Sequence, residues 1–201
     1  DTPLPTTESP PAPPELPDSA YIHGVVSHRQ QFTLDCESRT AVDFAAYFGL
    51  EIDQMAFQDA LPRSDDPNLG FVGYYWDPQG QLPPNSYGVH AAPVAALLRE
   101  YGLDVREVYY LGLEDLKTEI ASGRPVMAWV INNTVTGSPA TYTSSNGDNI
   151  LVARFEHTVI VIGYDPYTIY ILDNGSSYSR PINQFLSSWS VLGSMAILKN
   201  E

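Results

Sequence analysis

The chain has a single cysteine, Cys36, within the run HRQQFTLDCESRTAVDFAAYFG. A lone thiol is either a small buried apolar residue or a nucleophile, and its surroundings decide between them. Asp35 is a good N-cap residue, which makes Cys36 the first residue of a helix. Ala41, Phe44, Ala45 and Phe48 then recur at helical spacing, and Gly49 stops the run. A thiol at a helix start meets unpaired amides and the positive end of the helix dipole, both of which favour the thiolate. The spacing therefore predicts a lowered thiol pKa and fast labelling by iodoacetamide.

A nucleophilic thiol needs a base, and the run EHTVIVIGYDPYTIYILDNG offers one. It reads as two β-branched, aromatic-rich strands around the turn Tyr164-Asp165-Pro166-Tyr167. Pairing outward from Asp165, or from the Asp165–Pro166 bond, puts His157 opposite Asp173 or Asn174. Directly opposed side chains have Cβ atoms roughly 4.5–5.5 Å apart, which is hydrogen-bonding range for an imidazole and a carboxylate. The bland alternative is a solvated histidine beside a turn. His23 and His28 lie upstream of the thiol, but no hairpin sets a carboxylate opposite either, so both read as structural or solvated. His90 falls near a helix start and is not expected in catalysis.

The order Gln, Cys-Glu, His, Asp resembles that of papain-like cysteine peptidases of the bacteriocin-processing type, the thirty-ninth family of cysteine peptidases. The resemblance is to its stand-alone bacterial members. It runs from about Gly24 to Leu198 through LDCESRTAVDFAAYFG, DDPNLGFVG, YGVHAAPVAALLREYGL, GRPVMAWV, HTVIVIGYD, ILDN and FLSSWSVLGSMAI. Each block alone is weak; their order makes the signal specific. The resemblance implies a Cys36 nucleophile, a His157 base, an Asp173 orienter and an oxyanion-hole glutamine six residues before the cysteine. That position is Gln30, with Gln31 beside it. It also implies a peptide or protein substrate. Transporter-linked members carry Cys-Gly where this chain has Cys36-Glu37, a departure shared with the stand-alone group that tells against a double-glycine leader as substrate.

The elements that must hold these residues follow in order. DTPLPTTESPPAPPELP has seven prolines in seventeen residues and reads as an extended linker, residues 1–19, tethering a domain over 20–201 to an anchor or another module. After the Cys36 helix, Glu51 to Leu61 reads as a second helix. Residues 62–88 form a long irregular loop, of the kind that is usually functional. Asp65, Asp66 and Asn68 lack EF-hand spacing and read as turn residues. Tyr74, Tyr75 and Trp76 are expected on a cleft wall or in the core. Two further helices end at Gly102 and near Gly123, PVMAWVI is a buried strand, and PINQFLSSWSVLG and SMAIL close the chain as helix and strand. Helices first and an antiparallel sheet second is an α+β order, in agreement with the papain-like fold that the resemblance implies.

Composition narrows the function. The 201 residues suit one domain. A net charge of −14, from 24 acidic and 10 basic residues with no basic cluster, excludes nucleic acid as a partner. No run reaches the ~18 apolar residues of a membrane span. One cysteine without spaced partners does not make a structural zinc site, and the chemistry requires no cofactor. The chain starts at Asp1, which reads as a mature or truncated form, and the linker points to an exported, extracellular or cell-surface protein. Besides a peptidase, the same residues would serve a cell-wall amidase or acyl transferase. A non-catalytic peptide- or glycan-binding module is the alternative outside enzymes.

Overall fold

A strand covered on both faces must be apolar along its whole length, and two runs of this chain come close. Val126–Ile131 and Glu156–Tyr164 are buried at every residue and lie side by side at the centre of one sheet. The structure, a computed structural model, describes residues 15–201. In chain order its strands are β1 (Ala20–Tyr21), β2 (Val105–Val108), β3 (Val126–Ile131), β4 (Pro139–Thr143), β5 (Asn149–Ala153), β6 (Glu156–Tyr164), β7 (Thr168–Asp173), β8 (Ser176–Pro181) and β9 (Ala196–Lys199). Its helices are α1 (Cys36–Tyr47), α2 (Gln54–Ala60), α3 (Ala91–Glu100), α4 (Leu113–Ala121) and α5 (Ile182–Trp189).

The main sheet runs β2-β9-β3-β6-β7-β8, antiparallel throughout, and β1 adds to β6 through Ala20 opposite Tyr164. β4 and β5 form a separate ribbon. The α+β architecture anticipated from the chain order is thus the one observed. The apolar stripe of α1, with Ala41, Phe44 and Ala45 wholly buried, faces the core that α1 shares with β6 and α3. Thr158 Oγ1 donates to Thr40 Oγ1 at 3.0 Å, and Thr40 Oγ1 to the Thr158 carbonyl at 3.3 Å. These bonds fasten α1 to β6 one turn after Cys36 and one residue after His157.

Several boundaries differ from expectation. α2 starts at Gln54 rather than Glu51, because Asp53 Oδ1 accepts from the Ala56 amide at 2.8 Å and caps the helix there. β2 (VREV) and β8 (SSYSRP) are edge strands whose polar residues hide them from a hydrophobic pattern. The expected linker lies largely outside the described residues. Within them, the Pro17 carbonyl accepts from Tyr164 OH at 2.9 Å.

Candidate active site

Cys36 opens α1 as predicted, but its N-cap works differently. The Asp35 side chain makes no bond to the helix amides. Its Oδ2 accepts instead from the amides of Gln31 (2.9 Å) and Phe32 (3.1 Å) and from Gln54 Nε2 (2.7 Å). Asp35 therefore holds the turn that precedes the thiol. Cys36 itself is only 5% exposed, and its thiol donates to Glu37 Oε2 at 3.1 Å. Burial, then the neighbouring Glu37 and Glu156 carboxylates, push the thiol well above its ordinary value. The expected lowered pKa is thus reversed: the helix-end amides act on a group that is out of water and beside two acids.

Those acids are the part of the site that sequence reasoning missed. Glu37 and Glu156 are both buried, and one oxygen of each lies with Cys36 Sγ in a group of three atoms within 4.8 Å of one another. Burial raises Glu37 to about 7, and burial followed by Glu37 raises Glu156. Glu37 Oε1 accepts from the Val89 amide at 2.6 Å, whereas neither oxygen of Glu156 has a hydrogen-bond partner. Gly88 makes room for the pair: at its φ of +131°, a Cβ would stand 2.2 Å from Glu37 Oε1 and 2.9 Å from Glu156 Oε2.

His157 and Asp173 do meet: Nε2 and Oδ1 are 2.6 Å apart. They do so diagonally rather than face to face. β6 and β7 pair Ile160 with Leu172, then slip by one residue between Val161 and Gly163. The hairpin also turns later than expected, with the Asp165 amide donating to the Thr168 carbonyl. Continued outward, that register sets Asp173 across from Val159, so His157 is its diagonal neighbour, still within reach of a long side chain. The second oxygen of Asp173 accepts from Tyr178 OH (3.0 Å), and that hydroxyl shares a hydrogen bond with Thr134 Oγ1 (3.0 Å). Tyr178 carried no signal in the sequence, because β8 was not legible there, and Thr134 lies in the polar stretch between β3 and β4.

Asn174, the rival to Asp173, faces elsewhere: its Oδ1 accepts from the Gln30 amide at 2.8 Å. Gln30, Glu156, His157, Asp173 and Asn174 line one cleft together with Gln79. In this state the Gln30 side-chain amide donates to the carbonyls of Phe32 (2.9 Å) and Thr33 (3.3 Å). Gln31 lies to the side, its amide on Gln54 Oε1 at 3.2 Å. Asn132, Phe155 and Asn174 along the cleft, and Thr134 behind it, are held at φ between +47° and +59°. Left-handed backbone at non-glycine residues costs about 1–3 kcal/mol each and gathers at functional sites.

Residues expected outside the site are accounted for. His28 has a carboxylate partner after all, Asp43 on α1: Nδ1 is 2.7 Å from Oδ1, and Arg39 bonds the same carboxylate. That cluster ties the entering chain to α1. His90 Nδ1 meets Asn68 Oδ1 and Nε2 meets Tyr87 OH, so both ring nitrogens are engaged outside the His157–Asp173 pair. Asp65 accepts from Ser145 and Tyr142 and docks the β4–β5 ribbon, and Asp66 Oδ1 accepts from the Asn68 amide, as turn residues do. Tyr75 packs edge-on against Phe32, while Tyr74 and Trp76 stack on each other in solvent. None of the three lines the cleft that holds His157.

Comparisons with known proteins agree with this fold. The family model described as Peptidase_C39 like family matches residues 25–197. The uncharacterized protein YvpB of Bacillus subtilis (strain 168) is 30% identical over 139 residues, 66% of this chain and 52% of that protein. The chain therefore matches about half the length of that curated relative. A solved C39-like protein from Bacillus anthracis superposes with a TM-score of 0.80 at 24% identity, covering 92% of this chain and 98% of that one. The peptidase domain of Streptococcus ComA, a bi-functional ABC transporter, superposes with a TM-score of 0.53 at 15% identity, over 89% and 100% of the two chains.

Proposed function

The chain belongs to the Peptidase_C39-like family, and from that premise we propose that it is a cysteine peptidase using Cys36, His157 and Asp173. The observation that carries the reading is the 2.6 Å bond between His157 Nε2 and Asp173 Oδ1. It fixes the imidazole and leaves Nδ1 for the proton of the thiol. Because burial and two acids favour the neutral thiol, the proton moves to His157 as Sγ attacks the carbonyl, rather than beforehand. Asp173 stabilises the imidazolium that results, and Tyr178 and Thr134 keep that carboxylate in place. His157 then protonates the leaving amine, and water releases the acyl group from Sγ.

The Cys36 backbone amide and the Gln30 side chain hold the developing oxyanion. One such donor is worth about 2.7–4 kcal/mol in the transition state. Gln30 must first swing off the Phe32 and Thr33 carbonyls, and Asn174 anchors its backbone while it does. A second hollow adjoins the cleft, with Asn132 and Phe155 common to both and Leu82, Ile131, Val135 and Ala140 supplying apolar wall. It suits an apolar substrate side chain next to the scissile bond. The proline-rich start supports a tethered, extracellular or cell-surface enzyme acting on peptide or protein.

A cell-wall amidase is the second reading. The exposed Tyr74–Trp76 stack, with ring centroids 5.1 Å apart, favours it, since flat aromatic faces suit sugar rings. Both readings pass through an acyl-enzyme. Acid quenching of the enzyme turning over an activated peptide ester should leave acyl mass on the Cys36 peptide. Hydrolysis that proceeds without any such adduct would overturn the proposal.

A further inference from the structure

The Cys36 thiol and the Glu37 and Glu156 carboxyls form a group of three potential metal donors, with His157 close enough to act on Glu37. Among the described residues, no Lys, Arg or His forms a salt bridge with Glu37 or Glu156. Glu156 is 8% exposed and both of its oxygens lack a partner, although a buried carboxylate ordinarily has several. Glu156 also lines the cleft beside His157, so one of the three donors borders the opening. We propose that Cys36, Glu37 and Glu156 form an inhibitory site for a thiophilic divalent cation such as Zn2+, entered from the cleft.

The donor chemistry fits. Zinc takes thiolate sulfur at about 2.3 Å and carboxylate oxygen at about 2.0–2.2 Å, in tetrahedral sites that often keep one position for water. Donors in such a site stand about 3.5 Å apart. The three atoms here lie within 4.8 Å of one another, so side-chain rotation can close them on an ion. The balance is simple. The thiol proton, now donated to Glu37 Oε2, leaves to solvent together with any proton held by the two raised carboxyls, and Sγ and Oε2 both turn to the metal. Glu37 Oε1 keeps its bond to the Val89 amide, which orients the carboxylate, and Glu156 gains the partner it lacks. With Sγ coordinated, the thiol cannot attack a carbonyl. The inhibitory consequence rests on the peptidase reading, but the site itself does not.

Cobalt(II) tests the site without substrate, because thiolate-bound Co2+ gives an intense near-ultraviolet charge-transfer band. The full chain titrated with Co2+ should develop that band and lose it when Zn2+ is added. Cys36→Ser should never show it. Glu156→Gln and Glu37→Gln, each checked for native circular dichroism, should need at least tenfold more Co2+ to reach half the band. Absence of the band in the unmodified chain overturns the proposal. So does unchanged Co2+ affinity in whichever glutamine variant folds, since the thiol would then bind without the carboxylates. A chain that shows the band with Co2+ but cleaves nothing when free of metal sinks the peptidase reading alone; one that cleaves when free of metal but shows no band with Co2+ sinks the metal site alone.

Discussion

A carboxylate that orients an imidazole must itself be oriented, and in this chain two groups behind Asp173 do so. His157 Nε2 and Tyr178 OH occupy separate oxygens of Asp173, and Thr134 steadies the tyrosine. Asp173→Asn keeps the shape but loses the charge that stabilises the imidazolium. Its kcat should fall by orders of magnitude, about 10⁴-fold in the analogous serine triad, with its melting temperature little changed. Tyr178→Phe removes one hydrogen bond to a charged group, worth about 1.5–3 kcal/mol. Only part of that reaches the transition state, so kcat should fall roughly tenfold with KM held. Equal losses in the two variants would show that Asp173 acts as a structural anchor and not through its charge. Asn174→Ala should disturb turnover through Gln30, because Asn174 bonds the Gln30 amide.

At the scale of elements, the long loop and the start of α3 are tied together by a buried neutral histidine. His90 is placed between Asn68 Oδ1 and Tyr87 OH, and burial lowers its pKa from 6.5 to about 3. The unfolded chain takes up a proton near pH 6.5 while the folded one refuses it until about 3. The stability that neutral His90 contributes is therefore present above pH 6.5 and is lost as pH falls toward 3. The slope is about 1.4 kcal/mol per pH unit once below the unfolded value. Urea unfolding at pH 7 and pH 5 should show a loss roughly 2 kcal/mol larger in the unmodified chain than in His90→Gln. Parallel losses would mean that His90 is protonated in the folded state.

The same scale shows what a sequence can and cannot say. The helix at Cys36 was legible because Asp35, an apolar stripe and Gly49 mark its two ends. The β6–β7 hairpin was legible because β-branched runs flank Asp165-Pro166. Its register was not: a one-residue slip near Ile162 and a later turn moved His157 from opposite Asp173 to its diagonal. Gly163 beside the slip is the residue type that marks a bulge in a strand, but it does not say which residue is left unpaired or how the register resumes. Thiol chemistry was misjudged for a related reason. Helix position is local, but Glu156 reaches Cys36 only after β6 packs on α1, 120 residues of chain away by number. β8, and with it Tyr178, was hidden because a half-exposed edge strand needs no hydrophobic alternation.

At the scale of the molecule, helices and sheet meet along the seam between α1 and β6, and the site lies at one end of that seam. β1 attaches to the other end of β6, where Ala20 pairs with Tyr164 and the Pro17 carbonyl meets the Tyr164 hydroxyl. Removing residues 1–14 leaves those contacts in place. The melting temperature and turnover of the shortened chain should then match those of the full chain, by differential scanning calorimetry and peptide cleavage. A drop of several degrees would show that the proline-rich start stabilises the domain.

In the proposed function one thiol, served by one imidazole, cuts peptide bonds. Its most direct test is a peptide-library digest read by mass spectrometry, with the full chain beside Cys36→Ala. New termini should appear with the unmodified chain, be absent with Cys36→Ala, and cluster at sites with an apolar residue near the cut. Identical cleavage by both proteins, or none by the unmodified chain when it is folded and free of metal, would contradict the account.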